Sequence, residues 1–97
     1  HRQIYSAGRA VSTVKAGDTL RIVDAERFRV IYTTDNWATT LEAISKMVSH
    51  SAAFVDIPTR PDQRGKIIFT QAWPQEGKPD RWLDHNVEIE IIPAPGQ

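Results

Sequence analysis

The chain has 97 residues, of which 40% are hydrophobic and 25% charged: a folded domain with one core rather than two, and not a disordered segment. Its 12 Lys and Arg balance 12 Asp and Glu, which excludes the basic excess that favours nucleic-acid or membrane-surface partners. Cysteine is absent, removing disulfides, thiolate chemistry and Cys-based zinc, and no run reaches the roughly 18 apolar residues of a membrane helix.

In chain order, the start at His1, without leader or initiator Met, reads as a processed or excised piece of a longer protein. Val11–Val14 runs into the turn-former Lys15-Ala16-Gly17-Asp18, after which Thr19–Val23 alternates polar and apolar residues as a strand does. The nearest thing to a basic patch, Arg27 and Arg29, is answered by Asp24 and Glu26 just before it. Phe28–Thr33 predicts a strand with Phe28, Val30 and Tyr32 on one side, followed by a turn at Thr34-Asp35-Asn36. Thr40–Val48 is ambiguous. Leu41, Ile44 and Val48 fit one face of a helix capped by Thr39 or Thr40, or the segment is a ragged strand and turn; consistency with the rest favours the strand.

Ala53–Ile57 predicts a strand stopped by Pro58, and Thr59–Gly65 a polar turn region. Lys66–Trp73 is strand-like and predicted to end at Pro74, with Pro74–Asp80 the longest loop. Asn86–Ile92 is the last strand, with Val87, Ile89 and Ile91 facing in and Glu88 and Glu90 out. Residues 93–97 read as a flexible tail. Short strands with turns at intervals of about ten residues predict an all-β fold: an immunoglobulin-like antiparallel β-sandwich of about seven strands, residues 1–97 as one domain.

Enzyme and cofactor signatures are missing: no GxGxxG, Walker loop, HExxH or GxSxG occurs. His1, His50 and His85 are far apart, and His50 reads as a solvated turn residue. For His85, a turn or edge role stands beside a weak metal or sugar contact. Asp35, Asp56, Asp62, Asp80 and Asp84 lie near loops, but paired catalytic carboxylates need a cleft that so small a sandwich rarely forms. No Asp-x-Asp-x-Asp calcium loop is present. The expectation is therefore no catalysis by the isolated chain, no cofactor and no metal.

Trp37, Trp73 and Trp82 are more informative. An exposed indole face can stack on the apolar face of a sugar ring while neighbouring polar groups bond its hydroxyls. Trp37 and Trp82, with Tyr32, Asn36, Arg81 and Asn86, make the candidate carbohydrate-binding set. Taken singly, each ring favours packing over ligand stacking, and Trp73, continuing the Ile67/Phe69 alternation, is the one expected to be buried.

The ordered landmarks Lys15–Ile22, Val30–Trp37, Phe54–Pro58, Ile68–Pro74 and Arg81–Ile89 resemble the small C-terminal β-domain of bacterial glucoamylase-like and glucodextranase-like glycoside hydrolases, family 15. The resemblance spans about Ile4 to Ile92. It implies that the catalytic glutamates lie in a preceding (α/α) barrel outside this chain. It further implies an extracellular or periplasmic setting, packing against that catalytic domain, and contact with α-glucan. Asp35-Asn36-Trp37 and Arg81-Trp82 are the matching landmarks. Two departures stand out: a longer Pro/Gly/Lys stretch between Trp73 and Trp82, and Asp84-His85-Asn86 in place of a glycine-containing turn. A purely structural or protein-contact domain is the competing reading; a nucleic-acid or membrane partner is not expected.

Overall fold

In a computed structural model, which describes residues 1–95, alternation of apolar and polar residues becomes ten strands and no helix. They are β1 (Arg2–Tyr5), β2 (Thr13–Lys15), β3 (Thr19–Asp24), β4 (Arg29–Thr33), β5 (Leu41–Ile44), β6 (Lys46–Ser49), β7 (Ala52–Pro58), β8 (Lys66–Gln75), β9 (Lys78–Trp82) and β10 (Val87–Ile92). One sheet has the order β1-β3-β7-β6. The other has the order β2-β10-β8-β4-β5, with β9 also paired to β8. Leu20 and Ile22 from β3 and Ala53, Val55 and Ile57 from β7 meet Val30, Ile67, Phe69, Ile89 and Ile91 of the second sheet in one core. Burying each such side chain contributes about 1.5–3 kcal/mol, so the two facing layers are what hold this small fold together.

Polar clamps tie the layers and turns. The Tyr5 ring meets Phe69 edge-on across the sheets, at 5.2 Å between centroids. Asp24, at the end of β3, reaches β8 in the other sheet, where its Oδ2 accepts from Trp73 Nε1 at 3.2 Å and Gln71 Nε2 at 3.4 Å. Thr59, after β7, accepts from the Gly17 N–H at 2.9 Å and donates to the Asp18 carbonyl, fixing the turn between β2 and β3. Gly17 adopts φ +93° there, with Pro61 closing the space beside it.

The all-β sandwich holds, but ten strands replace about seven and the sheets are mixed, not antiparallel throughout. β1 runs parallel to β3, and β2 parallel to β10. After β1 the chain turns through Ser6–Arg9, which share a bridge, and β2 then joins the other sheet; each short strand adds to an edge too brief to announce itself by periodicity. Thr40–Val48 is extended, as consistency favoured. It splits at Ser45, whose N–H donates to the Phe28 carbonyl and whose hydroxyl accepts from the Phe28 N–H, so β5 edges one sheet and β6 the other.

Pro74 does not end β8. It sits at a register shift between Trp73 and Gln75, where no ladder donor is required, and the expected Pro74–Asp80 loop is a hairpin turning at Gly77. β10 and β9 share one edge of this ten-residue strand in succession. Trp73 is buried in the core as expected, at 9% exposure. Of the expected tail, Pro93–Pro95 carries no strand, and Gly96 and Gln97 lie outside the described residues.

Candidate functional site

Register decides which side chains share the outer face of the second sheet. Trp82 stands opposite Ala72, Ala72 opposite Arg29, and Arg29 opposite Ile44, so these four form one row across β9, β8, β4 and β5. Ala72 is small, and the indole of Trp82 leans over it to lie 5.0 Å from the Arg29 guanidinium. That guanidinium is held on both sides: Nε and Nη2 bond Asp80 Oδ2 at 3.1 and 3.0 Å, and Nη1 bonds Glu42 Oε2. The bonds to Glu42 and then Asp80 raise the Arg29 pKa further above its ordinary value, so the charge is permanent. Two carboxylates on one guanidinium leave the cluster net negative, with lone pairs to spare for hydroxyl donors. Trp82 itself is 49% exposed.

A second exposed aromatic, Trp37, lies in the turn that follows β4, beyond the end of that strand far from this row. The hydroxyl of Thr33, fully buried at the end of β4, accepts from the N–H groups of Asp35 at 3.2 Å and Trp37 at 3.0 Å. It donates to Asp35 Oδ1 at 2.7 Å, and that same oxygen accepts from the Thr39 N–H at 2.8 Å. These bonds, that from the Thr33 hydroxyl first, hold the Asp35 carboxyl below the usual carboxylate range. The tightly tied turn forces Asn36 and Trp37 to φ +55° and +69°, the left-handed region that an aromatic residue rarely occupies. Trp37 is exposed. Beside the turn lies an open hollow of about 440 Å³, floored by Ile68 and walled by Asp35, Asn36, Lys66 and Glu88.

Thr33 pairs with Ile68 and Arg29 with Ala72, so the two ends are four residues apart along β8, roughly 13 Å. Thr70 and Ile31 lie between them on the same face. Thr70 donates to the His85 carbonyl at 3.4 Å, which brings the Asp84–Asn86 loop alongside. His85 Nδ1 is 2.7 Å from Asp84 Oδ1, and this contact holds the Asp84 carboxyl low.

Of the six candidate residues, Trp82 and Asn36 border one face, Trp37 stands exposed in the turn next to Asn36, and Asn86 sits exposed in the Asp84–Asn86 loop. Tyr32 does not join them: it is half-buried, opposite Phe69, and packs against the core. Arg81 faces away as well, with its guanidinium 4.3 Å from the Trp73 ring and bonded to Glu26 at 3.1 Å. Alternation along β4 and β9 accounts for both departures, since neighbours in a strand point to opposite faces. Sequence reasoning missed Arg29 and Glu42 as site residues and noted Asp80 only as one loop carboxylate. Arg29 was legible as outward by its place between Phe28 and Val30; its partners, 13 and 51 residues away, were not.

Comparisons with protein-family models, with curated proteins and with solved structures return no match for this chain.

Proposed function

We propose that this chain is a non-catalytic accessory domain of an α-glucan-acting glycoside hydrolase and that it holds the glucan on the outer face of its second sheet. The observation that carries the reading is the half-exposed Trp82 indole, backed by Arg29 and rimmed by the Asp80 and Glu42 carboxylates. An aromatic plane offers a surface for sugar C–H groups, and the carboxylates accept from sugar hydroxyls. Asn36 and Trp37 extend the strip at its far end. The order of landmarks resembling the C-terminal domain of family 15 hydrolases supports α-glucan as the ligand. It also supports an immunoglobulin-like arrangement and an extracellular or periplasmic setting.

Tryptophan fluorescence of the chain titrated with maltoheptaose tests this, with cello- and isomalto-oligosaccharides as controls. A saturable change with the α-1,4 glucan is expected. Trp82→Ala should weaken it by about tenfold or more, the size of a central aromatic contact. No change with any sugar at millimolar concentration would defeat the binding reading.

A second reading, a structural domain packed on its catalytic partner, draws on the apolar residues exposed at one edge of each sheet. Ile44 on β5, at the edge of the second sheet and at the end of the Trp82–Arg29 row, is 69% exposed, and Val48 on β6, at the edge of the first sheet, is 68% exposed; Leu41 and Met47 on the same strands are exposed too. Apolar edges of this kind suit burial against another domain. If the sugar titrations are silent, this reading stands in place of the first.

A further inference from the structure

On the opposite side of the sandwich, the outer face of the first sheet carries an open hollow of about 550 Å³, within the size range of small-ligand sites. Val23, Phe54, Val48 and Ala52 form its apolar lining, and the Ser6–Gly8 turn walls one side. Small side chains leave the space open. Its one cationic side chain is Arg21, stacked 4.0 Å from the Phe54 ring and pinned by a fork to Asp56, with Nε and Nη2 on the two carboxylate oxygens at 2.7 and 2.8 Å. Both bonds to Asp56 use Nε and Nη2; among the described residues, Nη1 has no acceptor. Among the described residues the hollow's one carboxylate is Asp24, whose Oδ2 turns inward to Trp73 and Gln71 while Oδ1 accepts from the Glu26 N–H.

Nearby cations also hold the fork in place. Arg2 and Lys46 lie near enough to help Arg21 hold the Asp56 carboxyl low, which keeps Asp56 ionised and fixed in its fork with Arg21. An apolar lining beside a fixed guanidinium with one N–H group to spare complements an apolar body carrying one anionic end.

We propose that this hollow binds a small amphiphilic carboxylate, with its apolar body on Val23, Phe54 and Val48 and its carboxylate on Nη1 of Arg21. The site rests on none of the residues of the proposed glucan strip and stands independently of that reading.

The test is titration of the 15N-labelled chain with octanoate, followed by amide shifts, with octylammonium and octanol as controls. Saturable shifts are expected at Gly8, Val23, Val48 and Phe54, with the Trp82 amide unmoved. Octanoate should bind more tightly than either control. Arg21→Gln should cost octanoate about tenfold, the size of one charge-assisted hydrogen bond, and leave octanol unchanged. Val48→Glu, at an exposed wall position, should repel octanoate without touching the core. Absence of saturable shifts, equal binding of octylammonium, or an unchanged Arg21→Gln variant would each overturn the proposal.

Discussion

Asp24→Ala should be the most damaging single polar-to-alanine change on the first sheet. Asp24 is the side chain that crosses from that sheet to Trp73 and Gln71 on β8, and both partners are buried, at 9% and 5% exposure. Among the described residues no buried side-chain nitrogen or oxygen lacks a partner, so the variant creates a defect that the parent does not have. An orphaned buried donor costs about 1–3 kcal/mol. The two bonds, at 3.2 and 3.4 Å, are long, which places each near the low end. The third bond, from the Glu26 N–H, is exposed, and water replaces it at little cost. The sum is about 2–3 kcal/mol, or roughly 10–20 °C in Tm for a domain of this size.

Thermal and urea unfolding followed by circular dichroism measure it, and Trp73 emission should shift red as the pocket wets. Asp24→Asn keeps a carbonyl oxygen for the indole and should lose only about 1 kcal/mol. A double-mutant cycle with Trp73→Phe isolates the indole bond, and a coupling of about 1 kcal/mol is expected. If Asp24→Ala stays within about 0.5 kcal/mol of the parent, or the coupling is nil, the inter-sheet clamp is not stabilising and the reasoning fails.

Thr59→Val removes a buried hydroxyl that serves both Gly17 and Asp18, and should lower stability by about 1–2 kcal/mol in urea unfolding. Trp37→Gly relieves left-handed strain while giving up a half-exposed ring, so stability should stay within about 1 kcal/mol while the response to maltoheptaose falls. Acid unfolding carries a signature of Asp56, whose carboxyl is depressed chiefly by its bond to Arg21. A carboxyl with a lowered folded pKa adds stability that is present above its unfolded value, about 3.9, and is lost as pH falls through the folded one. Asp56→Asn should therefore flatten the fall in Tm below about pH 4, and an unchanged acid limb would contradict the assignment.

Strands with strong two-residue alternation were legible from the sequence: β3, β7 and β10 place Leu20, Ile22, Val55, Ile57, Ile89 and Ile91 inward as their patterns require. What escaped was set by pairing rather than by pattern. β1 and β2 are too short to show a period, and their parallel partners follow from where the chain changes sheets. Pro74 looked like a terminator, yet a bulge takes the position whose missing N–H does no harm. The same limit applies to the site. Trp82 was visible as an aromatic near a turn, but its backing by Arg29 depends on β4 and β9 flanking Ala72 from opposite edges. No spacing in the sequence contains that.

The turn at Trp37 bears most directly on whether the second sheet binds something or merely packs. A glycine would meet φ +69° without strain, and a tryptophan there costs about 1–2 kcal/mol. Thr33 spends a fully buried hydroxyl, and Asp35 a low carboxyl, on keeping that geometry. Local bonds of this kind are ordinary turn chemistry, and Asn36 suits a left-handed position; the tryptophan at φ +69° is the residue that joining β4 to β5 does not call for. Strain of this kind persists where a side chain must be presented in one orientation. On the proposed reading, presenting the indole of Trp37 next to the second sheet is what this strain serves, and losing the maltoheptaose response in Trp37→Gly at near-parent stability is the outcome that reading requires.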